Sequence, residues 1–173
     1  GVEDSRRHNV WFLDELKINS LQGRLDLYKK WTDKGRFKKG HFTSHSDRIV
    51  TLVDENGDAK ADKKLVYAGG FNDALDGNAG SILLGPDGEM YYANIPNVWK
   101  LTDKDFDGVS ETREKFITGF GFRNGVNGHD LHGLEWGVDG RLYFSNGDRG
   151  YSVTTKEGKV LKSSERGAIF RCE

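Results

Sequence analysis

Residues 128–150, GHDLHGLEWGVDGRLYFSNGDRG, hold two of the chain's five histidines, His129 and His132, three positions apart and just ahead of a segment that reads as a β-hairpin. Neutral imidazole, with an unperturbed pKa of about 6.5, is the side chain best matched to taking up a proton near neutral pH. The stretch closes on Gly147-Asp148-Arg149-Gly150, so Asp148 as well as Asp130 is available in sequence to orient a ring. Part of this stretch repeats an earlier one. LGPDGEMYYAN, residues 84–94, aligns with WGVDGRLYFSN, residues 136–146, which sets His129 against Gly77 and His132 against Gly80. The framework repeats and the histidines do not. A fold needs its glycines and apolar alternation in every copy, so a side chain present in one copy alone is a candidate for function. The competing reading is a structural histidine satisfied within a turn.

A second chemistry is written in two acidic loops. Asp103, Asp105, Asp107 and Glu111 stand at i, i+2, i+4 and i+8, with Gly108 after the third acid and Glu114 at the twelfth place of the loop pattern D-x-[DN]-x-[DN]-G-x₅-E. Such spacing lets one tight loop aim several oxygens at a hard cation, and calcium is the expected ion. Asp54, Asn56, Asp58 and Asp62 repeat the spacing, with Ala59 where the turn favours glycine and Leu65 where the last glutamate belongs. The flanks read as strands, which excludes an EF-hand. The competing reading is that Asp, Asn and Gly make these hairpin turns for local reasons. If calcium binds, it staples the loop and does no chemistry.

The elements that must position these residues follow from periodicity. From Arg48 onward the apolar pattern has a period of two, with candidate strands at 48–53, 64–67, 81–84, 89–93, 98–101, 114–117, 131–136, 141–145 and 168–172. The copies are offset by 49 residues at the acidic loops and 52 at the later strands, which implies a short insertion before His129. A repeat of about 50 residues carrying about four strands is the signature of a β-propeller blade. The expected fold is therefore all-β: a partial β-propeller of about three four-stranded blades, a fragment of a larger ring, with repeat units at about 48–96 and 97–146 and an incomplete third. Residues 1–47 form a helical and loop segment or insertion. NSLQGRLDLYKKW sets Leu21, Leu25 and Tyr28 at helical spacing beside Leu27 and Trp31, Asn19 or Ser20 can cap the start, and a shorter helix is expected around Val10–Leu16. This segment is expected to pack on a propeller face, with Trp11, Trp31 and Phe37 covering apolar edges. Residues 153–167 read as a long excursion between strands, placed to rim a central pocket.

Bulk composition removes other classes. A net charge of −1 gives no electrostatic case for nucleic acid, and no apolar run is long enough to span a membrane. The single cysteine, Cys172, reads as a buried free thiol. The chain opens on Gly1 and breaks off at Phe170-Arg171-Cys172-Glu173 in mid-pattern, which leads us to expect a piece of a longer protein.

Two resemblances sharpen these expectations. From His129 to Gly150 the sequence resembles the glucose/sorbosone dehydrogenase family, quinoprotein propellers that use pyrroloquinoline quinone (PQQ) and calcium. The shared pattern is a histidine, a Leu strand, an Asp-Gly turn, a Leu-Tyr strand and Gly-Asp-x-Gly. In that family the histidine is the general base that takes the substrate hydroxyl proton. It stands five residues before the leucine of a Gly-Arg-Leu, and His129 has that spacing to Leu134. Gly133 stands where that pattern has arginine, and Val138 where it has proline. The closer resemblance covers nearly the whole chain. It is to the PVC-type haem-binding CxxCH proteins, described as membrane-bound dehydrogenases. It rests on DSRRHNVWFLDE, LQGRLDLYKKW, LVDENGDAKADKKLVYAGGFNDALDG, LTDKDFDGVSE, GHDLHGLEWGVDGRLYFSNGDRG and VTTKEGKV followed by GAIFRC.

These resemblances imply a secreted or periplasmic propeller that oxidises a sugar or alcohol with PQQ and passes electrons to a haem c domain outside this chain. His129 would be the base, His132 its neighbour or a ligand, and Asp148 and Arg149 part of the same site. Arg123 and Arg149 are candidate partners for a carboxylated quinone or an acidic sugar, although solvated surface positions are the preferred expectation for both. The alternative is a non-catalytic, calcium-stabilised propeller that binds carbohydrate or protein. Gly133 argues for that alternative and the unrepeated histidines for the enzyme. A lactonase-type hydrolase needs ligands converging from more blades than this chain contains.

Overall fold

The computed structural model describes residues 9–125 and 128–173, so the first eight residues of the expected N-terminal segment lie outside the described residues. The chain is mostly β, with a short helical region at its start. After a 3₁₀ turn at Asn9–Trp11 come α1 (Phe12–Glu15) and α2 (Leu21–Asp33). Ser20 caps α2, its hydroxyl accepting the Gly23 N–H at 3.1 Å. The buried stripe of α2 is Arg24, Leu27 and Tyr28, so a charged residue enters where Leu25 was expected to lead.

The strands are β1 (Asp47–Val53), β2 (Lys63–Phe71), β3 (Ala79–Leu84), β4 (Met90–Asn94), β5 (Asn97–Thr102), β6 (Thr112–Thr118), β7 (Leu131–Trp136), β8 (Leu142–Asn146), β9 (Tyr151–Thr154), β10 (Val160–Ser163) and β11 (Ala168–Cys172). All nine expected strands form. The excursion at 153–167 also carries structure, because β9 and β10 pair as an antiparallel hairpin. Its turn at Glu157-Gly158, with Gly158 at φ +81°, was the available signal.

Pairing is antiparallel throughout, in sheets β1-β2, β3-β4-β5-β6 and β7-β8-β11, with the β9-β10 hairpin inserted before β11. The four-stranded sheet lies between the other two. Tyr92, Trp99 and Leu101 pack with Ile49, Tyr67 and Phe71 of the first sheet. Tyr91, Ala93 and Val98 pack with Leu131, Leu134, Leu142 and Phe144 of the third. The period of two along β4 thus feeds both cores at once. Each buried Leu, Val or Phe contributes about 1.5–3 kcal/mol from area removed from water. The second and third sheets are also tied by hydrogen bonds: the Leu134 N–H donates to Ser81 Oγ at 3.0 Å and Trp136 Nε1 to the Leu84 carbonyl at 2.9 Å. Gly80 is what lets β3 approach β7, since a Cβ there would lie 1.9 Å from the Leu131 carbonyl oxygen. The sequence repeat does not coincide with a sheet. Its boundary near residue 96 falls between β4 and β5, so each copy supplies the last two strands of one sheet and the first two of the next.

A separate cluster holds the N-terminal segment: Trp11, Ile18, Leu27, Tyr28 and Phe37 gather on Phe122, which lies in the loop after β6. Among the described residues no helix is long and apolar enough to cross a membrane.

Candidate functional site

The β7-β8 register brings the histidine region together. Leu131 pairs with Asn146, so the turn before β7 and the turn after β8 meet at the same end of the sheet. Gly147 permits the contact: a Cβ there would stand 2.3 Å from the His129 carbonyl oxygen. As a result, His129 Nδ1 lies 3.1 Å from Asp148 Oδ1. The same carboxylate oxygen accepts Arg149 Nε at 3.0 Å. Partial burial pulls the Asp148 carboxyl up, but the hydrogen bonds from Arg149 and His129 outweigh it and hold the group below the usual carboxylate range. An ionised carboxylate only accepts, so Nδ1 carries the hydrogen, and in the neutral ring Nε2 carries the lone pair. The His129 side chain is 54% exposed, and Nε2 has no partner among the described residues.

His132 is engaged differently. Its Nδ1 donates to the Asp130 carbonyl at 2.6 Å, a local bond that pins the ring to its own turn. The Asp130 side chain is buried and accepts the Asn78 amide at 3.1 Å. Asp148, not Asp130, is therefore the acid that contacts His129. Gly133 has φ +70° and lies at the irregularity in the β7-β8 register between His132 and Glu135. An arginine at that place would be strained.

The two arginines correct a sequence expectation, because neither is a solvated surface residue. Arg123 is 7% exposed, and its Nη2 donates to the Leu16 carbonyl at 3.3 Å. The Arg149 side chain is 14% exposed, with Nη1 3.8 Å from Glu15 Oε1. Two backbone bonds hold the loop after β6 against the 148–151 turn: the Gly121 N–H donates to the Gly150 carbonyl at 2.8 Å and the Arg123 N–H to that of Arg149 at 2.9 Å. This docking carries both guanidinium groups beneath the N-terminal segment.

Glu15 and Asn124 were missed. Glu15 is 1% exposed, and its Oε1 accepts the Asn124 N–H at 2.9 Å. Burial pushes its carboxyl up, against the opposing pull of Arg149, the Asn124 N–H, Arg123 and Arg24. The signal was present. Trp11, Glu15 and Ile18 are spaced four and three apart, so the acid lies on the same buried stripe as two core residues. A groove of about 620 Å³ lies elsewhere, between β6, the β9-β10 hairpin and β11, and includes none of the predicted site residues.

The acidic loops connect β1 to β2 and β5 to β6, at the end of the sheets opposite His129. Asp103, Asp105, Asp107 and Glu111 each bring one oxygen to within 4.8 Å of the others. Glu114 stands outside this group, on β6 in register with Lys100. The first loop repeats much of this hydrogen bonding. Asp54 accepts the Ala59 N–H as Asp103 accepts that of Gly108, each at 2.8 Å. Asn56 accepts from Asp58 as Asp105 does from Asp107, and Asp58 from Lys60 as Asp107 does from Val109. Asp62 and Glu111 each reach back to the second residue of their loop. Both loops need two left-handed residues, Gly57 and Ala59 in one and Phe106 and Gly108 in the other. Among the described residues, Asp54, Asp58 and Asp62 do not close into a group like that of the second loop.

No curated protein and no solved structure matches the chain. Residues 24–173 match a family of domains described as Domain of unknown function (DUF7133), which takes in the whole β region, α2 from Arg24 onward and the His129 site, and the chain belongs to that family.

Proposed function

We propose that this chain is part of a β-propeller dehydrogenase in which His129, oriented by Asp148, removes the hydroxyl proton of a sugar or alcohol. The observation that carries the reading is the 3.1 Å contact between His129 Nδ1 and Asp148 Oδ1, with Nε2 left available. The carboxylate fixes the tautomer and stabilises the imidazolium formed when Nε2 takes the proton. Three stacked antiparallel sheets, with the repeat boundary inside the middle one, support the propeller. Ile169 supports an incomplete ring. It holds in β11 the register place that Val98 holds in β5, yet it is exposed where Val98 is buried under the next sheet.

A quinone of the PQQ class, when bound, would supply the hydride acceptor. This chain's candidate for one of its carboxylates is Arg123, whose Nε is buried without a hydrogen-bond partner among the described residues. Electrons would pass to a haem c domain elsewhere in a secreted or periplasmic parent protein. His132 serves here as a structural neighbour. The test is dye reduction by the full-length protein, given calcium, PQQ and a panel of sugars and alcohols, beside a His129→Ala variant.

The oxygen-only donor set of Asp103, Asp105, Asp107 and Glu111 fits calcium in a stapling role. Calcium at a hundredfold excess over its Kd is expected to stabilise the metal-free protein by about 2.7 kcal/mol, or about 5–10 °C in Tm for a chain of this size. The double variant Asp105→Asn/Asp107→Asn keeps the oxygens that accept the turn N–H groups, as Asn56 does in the first loop, but loses two charges. It is expected to lose most of the calcium-dependent rise. An equal rise in variant and wild type would remove calcium from this loop.

A second reading, a non-catalytic calcium-stabilised propeller that binds carbohydrate or protein, is favoured by one observation. Arg123 donates to the Leu16 carbonyl and Arg149 Nη1 lies against Glu15, so both guanidinium groups are largely covered by the N-terminal segment. Absence of both quinone binding and turnover would select it.

A further inference from the structure

We infer that Glu15 is a positioning residue for His129, acting through Arg149 and Asp148, so that the N-terminal segment is part of the histidine site and not only a cover on the sheets. This rests on the reading of His129 as the base. The contacts form one line. Glu15 Oε1 lies 3.8 Å from Arg149 Nη1, Arg149 Nε donates to Asp148 Oδ1 at 3.0 Å, and the same oxygen meets His129 Nδ1 at 3.1 Å. Charge alternates along it, so each group is held by the next. Arg149 stands between two carboxylates, one on α1 and one in its own turn, and that bracketing fixes the direction from which its Nε reaches Asp148.

Glu15 is itself rigidly placed. Trp11 and Ile18 bury its helical stripe, and the Asn124 N–H holds its Oε1 at 2.9 Å. As a mere anchor for α1 a carboxylate is a poor choice. Its Oε2 is buried without a hydrogen-bond partner among the described residues, and an apolar side chain of similar volume would hold the segment at least as well. What an apolar side chain cannot do is hold a guanidinium. The arrangement ties His129, on a turn of the third sheet, to a helix more than a hundred residues away in sequence.

The test is nitrogen-15 NMR on the full chain, reading exchange of the Arg149 Nε–H with solvent and the tautomer of the His129 ring. Glu15→Gln keeps an oxygen for the Asn124 N–H and removes the charge that holds Arg149. We expect at least tenfold faster Nε–H exchange and a change from one His129 tautomer to a mixture. Unchanged exchange and tautomer would overturn the inference. Leu27→Ala loosens the packing of α2 without touching the line of contacts and is expected to leave both signals as they are. If Leu27→Ala reproduces the Glu15→Gln result, Glu15 acts only by holding the segment, and the inference fails. Should Glu15→Gln not fold, Glu15→Asp, which keeps the charge but draws it back by one methylene, is expected to speed the exchange part of the way, and no change would again overturn it. These signals do not depend on turnover. Failure of the base reading would appear separately, as a His129→Ala variant with wild-type dye reduction.

Discussion

His129→Ala is expected to lower kcat for alcohol or sugar oxidation by about 10²–10⁴-fold, the range for loss of a general base, or roughly 2.7–5.4 kcal/mol of transition-state stabilisation. KM is expected to change little, because an exposed imidazole that receives one proton contributes mainly in the transition state. Asp148→Asn isolates the orienting role. An amide can still meet Nδ1, but it does not stabilise the imidazolium, and its NH₂ group can face the ring and select the other tautomer. The rate is therefore expected to fall by less than in His129→Ala while the histidine remains in place. His132→Ala serves as the comparison, since the His132 ring is hydrogen-bonded to the Asp130 carbonyl of its own turn and, among the described residues, to no acid. It is expected to keep most of the activity. Steady-state dye reduction by the three variants checks the order, and a His132→Ala variant weaker than His129→Ala would reverse the assignment.

The second large effect is on stability. Trp11 is fully buried, with its ring 5.1 Å from Phe37, 6.0 Å from Tyr28 and 6.1 Å from Phe42. Truncation to alanine removes the largest side chain of that cluster and leaves a cavity whose walls are other aromatic rings, which have little freedom to close it. Trp11→Ala is expected to cost about 3–5 kcal/mol, a large fraction of the about 5–15 kcal/mol that holds a typical domain together. Urea unfolding measures it as a lower midpoint, and a separate early transition would show the N-terminal segment leaving before the sheets. A loss below about 1 kcal/mol would mean that the segment is held by its polar contacts and not by this core. The same variant bears on the histidine site, because Glu15 is one helical turn from Trp11 and depends on it for its place.

Strand positions were legible because a period of two survives wherever one face of a strand is covered. The two central strands of the middle sheet, β4 and β5, are covered on both faces and still showed as strands because their runs carry Tyr, Trp and Val and are flanked by Gly and Asp turns. The β9-β10 hairpin was passed over because each of its strands is only four residues long, although Tyr151 and Val153 alternate with Ser152 and Thr154 and the Glu157-Gly158 turn marked it. The spacing of Asp103, Asp105, Asp107 and Glu111 follows one tight loop, and the structure gathers their oxygens, whereas Glu114 falls beyond that loop on β6. Sequence left Asp130 and Asp148 both open as the acid beside His129, because the β7-β8 register that brings Asp148 to the ring is not written in the spacing. Arg123 and Arg149 could not be placed, because their burial comes from α1 and α2, far off in the chain, and a charged side chain carries no local mark of being covered. Glu15 did carry a mark, its place between Trp11 and Ile18, but such a stripe says only that the acid is buried and not what it meets.

The most direct test of the central claim is turnover by the full-length protein with calcium and a sugar or alcohol, measured with and without added PQQ. We predict dye reduction that requires the quinone and is lost in His129→Ala. Dye reduction that ignores both the quinone and His129, or quinone titrations that show no binding together with no turnover on any substrate of the panel, would contradict the account.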